Sequence, residues 1–460
     1  MRDLVLIAGV MGASFVGLFS PVFGILTFVF LGIFNPHSLT WGFARTFPLS
    51  QVAAIATLVG TLSSPERKRF RVQRETLLLL LLWLMFGVST YFAISPEAAF
   101  QKFVNVSKIL LMVVLTTIII NTQYRLQLLL RVIALSLGFY AVKGAVFAIM
   151  TGGQHIVYGP DRSFLSANNS IGLALAMNVP VLIRLIKVEK NQLLIWIMKA
   201  MVLGSYPAVV CTFSRGAWLG LAMVTAFLFL KAKHKIITLP AVAILAVLLL
   251  PSSPSILPDR VVNRYDTLVN YEQDASAQSR LWNWEFCKRV GMANPLTGAG
   301  FDFYSLQAYA AYYPEFQERF PGKVWSCHSI WLTVLSEHGF SGTIILMALL
   351  VSIFSSFKKI RTYAQLQVDN TWAGHYANMV QEALVAFMVV GTFLDALYFD
   401  LFYYLVGVVV ILKGIMQDAL VPVSVESSLE GSVGSRPWAW THIQRFTRPR
   451  LSAKPGIQEN

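Results

Sequence analysis

The chain has 460 residues, 56% of them hydrophobic and only 13% charged, with a mean hydropathy of +0.61. A soluble domain carries roughly 25% charged residues, so the composition excludes an ordinary soluble fold and leaves one membrane domain with one sizeable loop. The net charge of +14 could serve nucleic-acid binding, but the basic residues cluster beside apolar runs, the pattern of orientation signals and of contact with anionic membrane lipids, so no nucleic-acid partner is expected.

A helix needs about 20 apolar residues to cross the hydrocarbon core. In chain order the candidate crossings are 4–20, 22–35, 48–63, 76–93, 104–121, 126–150, 168–186, 193–212, 216–231, 236–252, 327–354, 376–395 and 398–416. The first two are short and share Pro21, so they read either as two crossings or as one broken element. The predicted fold is therefore an all-α polytopic membrane protein with about twelve transmembrane helices. Met1–Arg2–Asp3 and the apolar run after it lack a small-residue cleavage site, so this start reads as a retained membrane segment.

Short basic loops set the orientation. Arg67, Lys68, Arg69, Arg71 and Arg74 mark one loop, and Arg184, Lys187 and Lys190 mark a second. Lys231, Lys233 and Lys235 mark a third, and Lys358, Lys359 and Arg361 a fourth. Alternating the crossings puts all four on one side, which the positive-inside rule makes the cytoplasm. The side of Met1 depends on whether the first two runs cross once or twice. The predicted divisions are membrane helices over 1–252, an external loop domain over 253–326, membrane helices again over 327–416 and a disordered cytoplasmic tail over 417–460. The external loop is too long for a bare connection. Its aromatics, among them Trp282, Trp284, Phe301, Phe303, Tyr304, Tyr309, Tyr312 and Tyr313, suggest short helices lying at head-group depth. Cys211, Cys287 and Cys327 show no metal-ligand spacing and indicate no disulfide framework.

The residues able to carry chemistry gather on the external side. Arg215, between two apolar runs, has a planar fork that matches phosphate bidentately. An interfacial arginine snorkelling to lipid phosphates is the other reading. Arg280 lies in a short amphipathic helix with Ser276 or Ser279 as cap, and taken alone it reads as a solvated or salt-bridged loop residue. Arg162 precedes Ser166–Ala167–Asn168–Asn169, where Ser166 or Asn168 can cap a helix whose N-terminal end helps hold an anion. His328 opens the helix after the long loop and has an ordinary pKa suited to proton transfer at neutral pH. A polar interface histidine would look the same. Glu337 and His338 lie more than two turns deeper, and only an irregularity at Gly339 or Gly342 would turn them toward His328. A metal site of His328, Glu337 and His338 matches no zinc spacing, and no metal or cofactor is expected. Lys143, Asp395 and Asp400 read as ion-pair partners or snorkelling residues; a transporter of lipid-linked or anionic substrates would use such groups along a pathway. Discontinuous helices in repeated halves would accompany transport, but no internal repeat is visible.

Assembled, these pieces resemble the O-antigen ligase and polymerase superfamily, and within it the O-glycosylation ligases associated with the exosortase A system. The resemblance is carried by Met1–Arg2–Asp3 through Phe34–Asn35–Pro36–His37, by Asp161–Arg162–Ser163–Phe164–Leu165–Ser166–Ala167–Asn168–Asn169 followed by Leu173–Met177 and Pro180, and by Phe213–Ser214–Arg215–Gly216–Ala217–Trp218. Its most specific part is His328–Ser329, nine residues, then Gly339–Phe340–Ser341–Gly342. The likeness spans roughly residues 1–415. It implies a GT-C-like, metal-independent inverting glycosyltransferase of the bacterial inner membrane, with a large periplasmic loop and its active site facing the periplasm. The implied donor is a glycan on undecaprenyl diphosphate, and the acceptor a hydroxyl of lipid A core, of protein or of a growing polysaccharide. By motif, Arg215 and Arg280 would bind the diphosphate, with Arg162 a further candidate. His328 would be the base, and His338 the second choice.

Overall fold

The computed structural model describes residues 1–66, 70–231, 275–366 and 371–420. The expected crossing over 236–252, the first part of the long loop and nearly all of the tail lie outside the described residues. Every other expected crossing is a helix: α1 (Arg2–Phe19), α2 (Pro21–Phe34), α3 (Leu49–Ser63), α4 (Arg74–Tyr91), α5 (Pro96–Ile119), α6 (Gln123–Met150), α7 (Asn168–Val188), α8 (Gln192–Val210), α9 (Arg215–Lys231), α13 (Ile330–Leu366), α14 (Thr371–Gly391) and α15 (Asp400–Leu420). Three helices of the long loop lie between α9 and α13: α10 (Ala275–Ala293), α11 (Leu306–Tyr312) and α12 (Pro314–Arg319). Among the described residues there is no strand, and eight helices are long and apolar enough to cross a membrane. The protein is a multi-pass membrane protein.

Residues 1–416 form one unit with α7 near its centre; every residue of α7 from Ile171 to Leu182 is buried, as is most of α15. At the N-terminus the chain breaks at Ser20, which is extended, and Pro21 restarts the helix without needing an N–H partner. Gly17 and Gly24 then pack closely enough that a side chain at either would meet backbone or Thr57. Asp3 Oδ1 accepts from the backbone N–H groups of Gly42 and Ala44 at 3.1 and 3.0 Å, and Ser38 Oγ donates to the Asp161 carbonyl at 2.6 Å. The start of α1 and the segment before α7 therefore share one end of the bundle, so α1 and α2 traverse it twice.

The opposite end is held by buried carboxylates. Glu75 accepts from Ser352 Oγ at 2.9 Å, Ser356 Oγ at 2.7 Å and the Lys413 ammonium. Glu382, inside α14, takes both Arg184 and Lys231. Arg184 and Lys231 were expected simply as loop cations; they are instead the cationic halves of a buried cluster. These ion pairs do not weigh against the orientation reading, because the positive-inside bias counts Lys and Arg rather than net charge.

The aromatic residues of the long loop do not lie flat at an interface. Phe286, Phe303, Tyr309, Tyr313 and Phe316 are buried in a small core of their own, with Phe286 and Tyr309 stacked at 3.7 Å. A disulfide crosses this core from Cys287 to Cys327. This corrects the sequence expectation. The two cysteines are 40 residues apart, and only the folding of α10 onto the start of α13 brings them together.

Candidate active site

The site is organised around the turn between α14 and α15, residues 391–399. Just before α13, His328 adopts a left-handed backbone, φ 50°, uncommon without glycine. The first turn of α13 is then bolted to that turn. Trp331 Nε1 donates to Thr392 Oγ1 at 3.0 Å, and Thr333 Oγ1 donates to Asp395 Oδ1 at 2.6 Å. His328 is half-buried, and that burial pushes its imidazole below the ordinary value of 6.5; Asp395 opposes the shift and Arg280 adds to it. His328, Asp395 and Arg280 are thus electrostatic neighbours, although 115 residues separate Arg280 from Asp395.

Arg215 reaches the same turn by another route. Ser214 caps α9 by accepting from the Ala217 N–H at 3.3 Å, which sets the buried Arg215 in the first position of the helix. Asn168 does not cap α7. Its amide donates to the Thr212 carbonyl at 2.8 Å, and the residue before it, Ala167, is the N-cap without a side-chain bond. That bond ties the start of α7 to the start of α9. Gly216 lies against Val390 and Phe393, and the Phe393 ring stacks with Trp284 of α10 at 6.0 Å. Arg162 is exposed at the rim. Its neighbour Asp161 pairs with Arg45, and Phe164 packs edge-on against Phe399 at 5.0 Å. Arg215, Arg280 and His328 therefore come near the turn 391–399, and the exposed Arg162 is linked to it only through its neighbour Phe164. Arg162, Phe213, Asp302 and His328 all have positive φ without being glycine, and such strain concentrates at functional sites.

His338 occupies a closed network. Its Nδ1 meets Ser89 Oγ at 2.5 Å and its Nε2 meets the Tyr398 hydroxyl at 2.6 Å, while that hydroxyl donates to the Glu337 carboxylate. With Tyr398 donating to Glu337, Nε2–H donates to Tyr398 and Nδ1 accepts from Ser89, so a neutral ring is satisfied at both nitrogens. His338 is fully buried, and no nitrogen is left for an acceptor's proton. Among the described residues no group of His, Cys, Asp and Glu is arranged to hold a metal ion.

Residues 200–347 match the family described as O-Antigen ligase, and residues 1–183 match a family of unknown function (DUF5935). The match over residues 200–347 supports a likeness to the O-antigen ligase superfamily. No curated protein matches it. Arg215, Arg280 and His328 fall inside the ligase match and Arg162 inside the other, whereas Asp395 and Tyr398 lie beyond both.

The GxxG end of the ligase motif has a clear physical role. At Gly339 the helix breaks, with φ 66° and ψ −169°. In an unbroken helix Phe340 N–H would bond to the Ser336 carbonyl. Here it donates to Pro295 O at 2.7 Å, while Ser336 O and Glu337 O accept from Ala299 N at 2.7 Å and Gly300 N at 3.0 Å. The loop Asn294–Gly300 thus substitutes for the helix's own partners. Ala299 O in turn accepts from Ile94 N at 2.9 Å, which carries the splice to the end of α4. A side chain at Gly339 would need an unfavourable φ and would put its Cβ 2.6 Å from Pro295 O. Gly339→Ala is expected to cost about 2 kcal/mol or more, read as a lower Tm of the detergent-solubilised protein.

Sequence reasoning named Asp395 only as an ion-pair or snorkelling residue and did not single out Tyr398. Asp395 had a signal: a carboxylate just past an apolar helix, on the arginines' side, in a chain with only 23 acidic residues. Tyr398 had none, being one of 16 tyrosines.

Proposed function

We propose that the chain transfers a glycan from undecaprenyl diphosphate to an acceptor hydroxyl, that of lipid A core oligosaccharide in the first instance, at the periplasmic face of the bacterial inner membrane. The observation that carries this reading is the grouping of His328 with Asp395 and Arg280 beside the helix start bearing Arg215, within an O-antigen ligase match. His328 takes the proton of the acceptor hydroxyl as its oxygen bonds to the anomeric carbon. The bond from that carbon to the diphosphate oxygen breaks on the opposite face, and the configuration inverts. Charge grows on the departing diphosphate, and Arg215 and Arg280 are fixed where that charge develops. Asp395 holds the imidazolium that forms, and Arg162 receives the outer part of the donor at the rim. Protein side chains and growing polysaccharide are the other acceptors this chemistry would serve.

Two features support the sidedness. Arg184 and Lys231, paired with Glu382, lie at the far end of the bundle from His328, and the Cys287–Cys327 disulfide lies at the His328 end, in keeping with an oxidising compartment there. Lys143, the residue that would suit a transport pathway, is exposed on α6 with its ammonium 6.0 Å from the Tyr140 ring.

The test is to incubate the protein, reconstituted in lipid nanodiscs, with a lipid-linked glycan, candidate acceptors and a chelator. Release of undecaprenyl diphosphate equal to the new glycoconjugate is expected. Movement of the donor across a bilayer with no new glycosidic bond would refute the reading.

A further inference from the structure

Trp284 carries a polar group that the fold leaves unanswered. Its Nε1 is sealed from solvent and has no hydrogen-bond partner among the described residues. Buried polar groups are nearly always bonded, so each exception calls for an explanation. The placement supplies one. Trp284 lies four residues after Arg280 on α10, one helical turn along the same face. Its ring stacks on Phe393 at 6.0 Å and 29°. Phe393 also lies against Gly216, the residue after Arg215. The indole is therefore held, through Phe393, beside the elements that carry the two arginines proposed to bind the diphosphate.

An indole N–H only donates. The guanidinium groups of Arg215 and Arg280 also only donate, and the Asp395 carboxylate is turned to Thr333, whose hydroxyl donates to its Oδ1 at 2.6 Å. A ligand can supply the missing acceptor, and a group bordered by two arginines is anionic. We infer that Trp284 donates its indole N–H to a non-bridging oxygen of the donor's diphosphate, as a third contact beside Arg215 and Arg280. Stacking on Phe393 fixes the ring before the donor arrives, so little side-chain freedom is lost on binding. This rests on the function proposed above.

The experiment compares the full-length protein with Trp284→Phe, which keeps an aromatic ring against Phe393 and deletes only the N–H, and with Trp284→Leu, which also removes the stacking. Binding of farnesyl diphosphate is measured by titration calorimetry, and glycan transfer is measured in parallel. Trp284→Phe is expected to raise the Kd for farnesyl diphosphate and the KM for the donor by about 10-fold or more, with the acceptor KM and the melting temperature unchanged. Wild-type binding by Trp284→Phe, with weakening only in Trp284→Leu, would reduce Trp284 to packing and overturn the inference. So would a wild-type protein that binds no farnesyl diphosphate. Binding that weakens in Trp284→Phe, in a protein that transfers no glycan, would uphold the Trp284 contact and defeat the proposed transfer instead.

Discussion

Replacing His328 with alanine is expected to lower the rate of glycan transfer by about 10²- to 10⁴-fold, the usual contribution of a positioned base, while farnesyl diphosphate still binds. The pH dependence is more discriminating than the loss itself. A base works as neutral imidazole, so the rate rises as pH climbs through the pKa of His328 and levels above it. Burial and Arg280 hold that pKa below 6.5, which puts the acid limb of the profile below 6.5 as well. Asp395 pulls the other way, because its carboxylate favours the protonated ring. Asp395→Asn should therefore move the acid limb to lower pH as well as slowing transfer, and Arg280→Gln should move it to higher pH. A His328 that merely sits at an interface would give wild-type rates when replaced. An Asp395 that only anchors Thr333 would slow transfer without moving the limb.

The arginines should be almost as costly. Arg215→Ala and Arg280→Ala are each expected to lower kcat by about 10²- to 10³-fold, as when one preorganised donor to a developing negative charge is removed. Lysine separates the readings for Arg215. If Arg215 only snorkelled to lipid phosphates, Arg215→Lys would behave as wild type, because the ammonium reaches the head groups equally well. If it grips a diphosphate, lysine loses the bidentate fork and stays well below wild type. Arg215 is buried at the first position of α9, which disfavours a side chain extended into a lipid layer. Arg162→Ala, at the exposed rim, should have a smaller effect than either, read as a rise in donor KM.

Much of the architecture was legible in the sequence, for a local reason. A membrane crossing is a sum over about 20 adjacent residues, so neighbouring side chains suffice to mark it. Gly339 was legible too, as a place where an irregularity could occur, because glycine tolerates a positive φ. What the irregularity accomplishes was not visible there. A break might have turned His338 toward His328; instead it opens the helix to the Asn294–Gly300 loop and leaves His338 enclosed by Ser89, Tyr398 and Glu337. The loop aromatics show a similar limit. Trp and Tyr at the end of a membrane domain have the composition of an interface belt, but Phe286 and Tyr309 pack on each other as a core.

The sequence by itself determined that this is a polytopic helical membrane protein, and it singled out Arg162, Arg215, Arg280 and His328, because hydropathy and short motifs are properties of consecutive residues. The rest came from the packing of distant segments: that Arg215, Arg280 and His328 gather near the turn 391–399, that Asp395 acts electrostatically on His328, that Cys287 meets Cys327, and that α1 begins at the His328 end. These depend on pairs such as Thr333 with Asp395, 62 positions apart, and Ser89 with His338, 249 apart. Helix packing selects such partners among many side chains of the same type, and no local pattern records the selection.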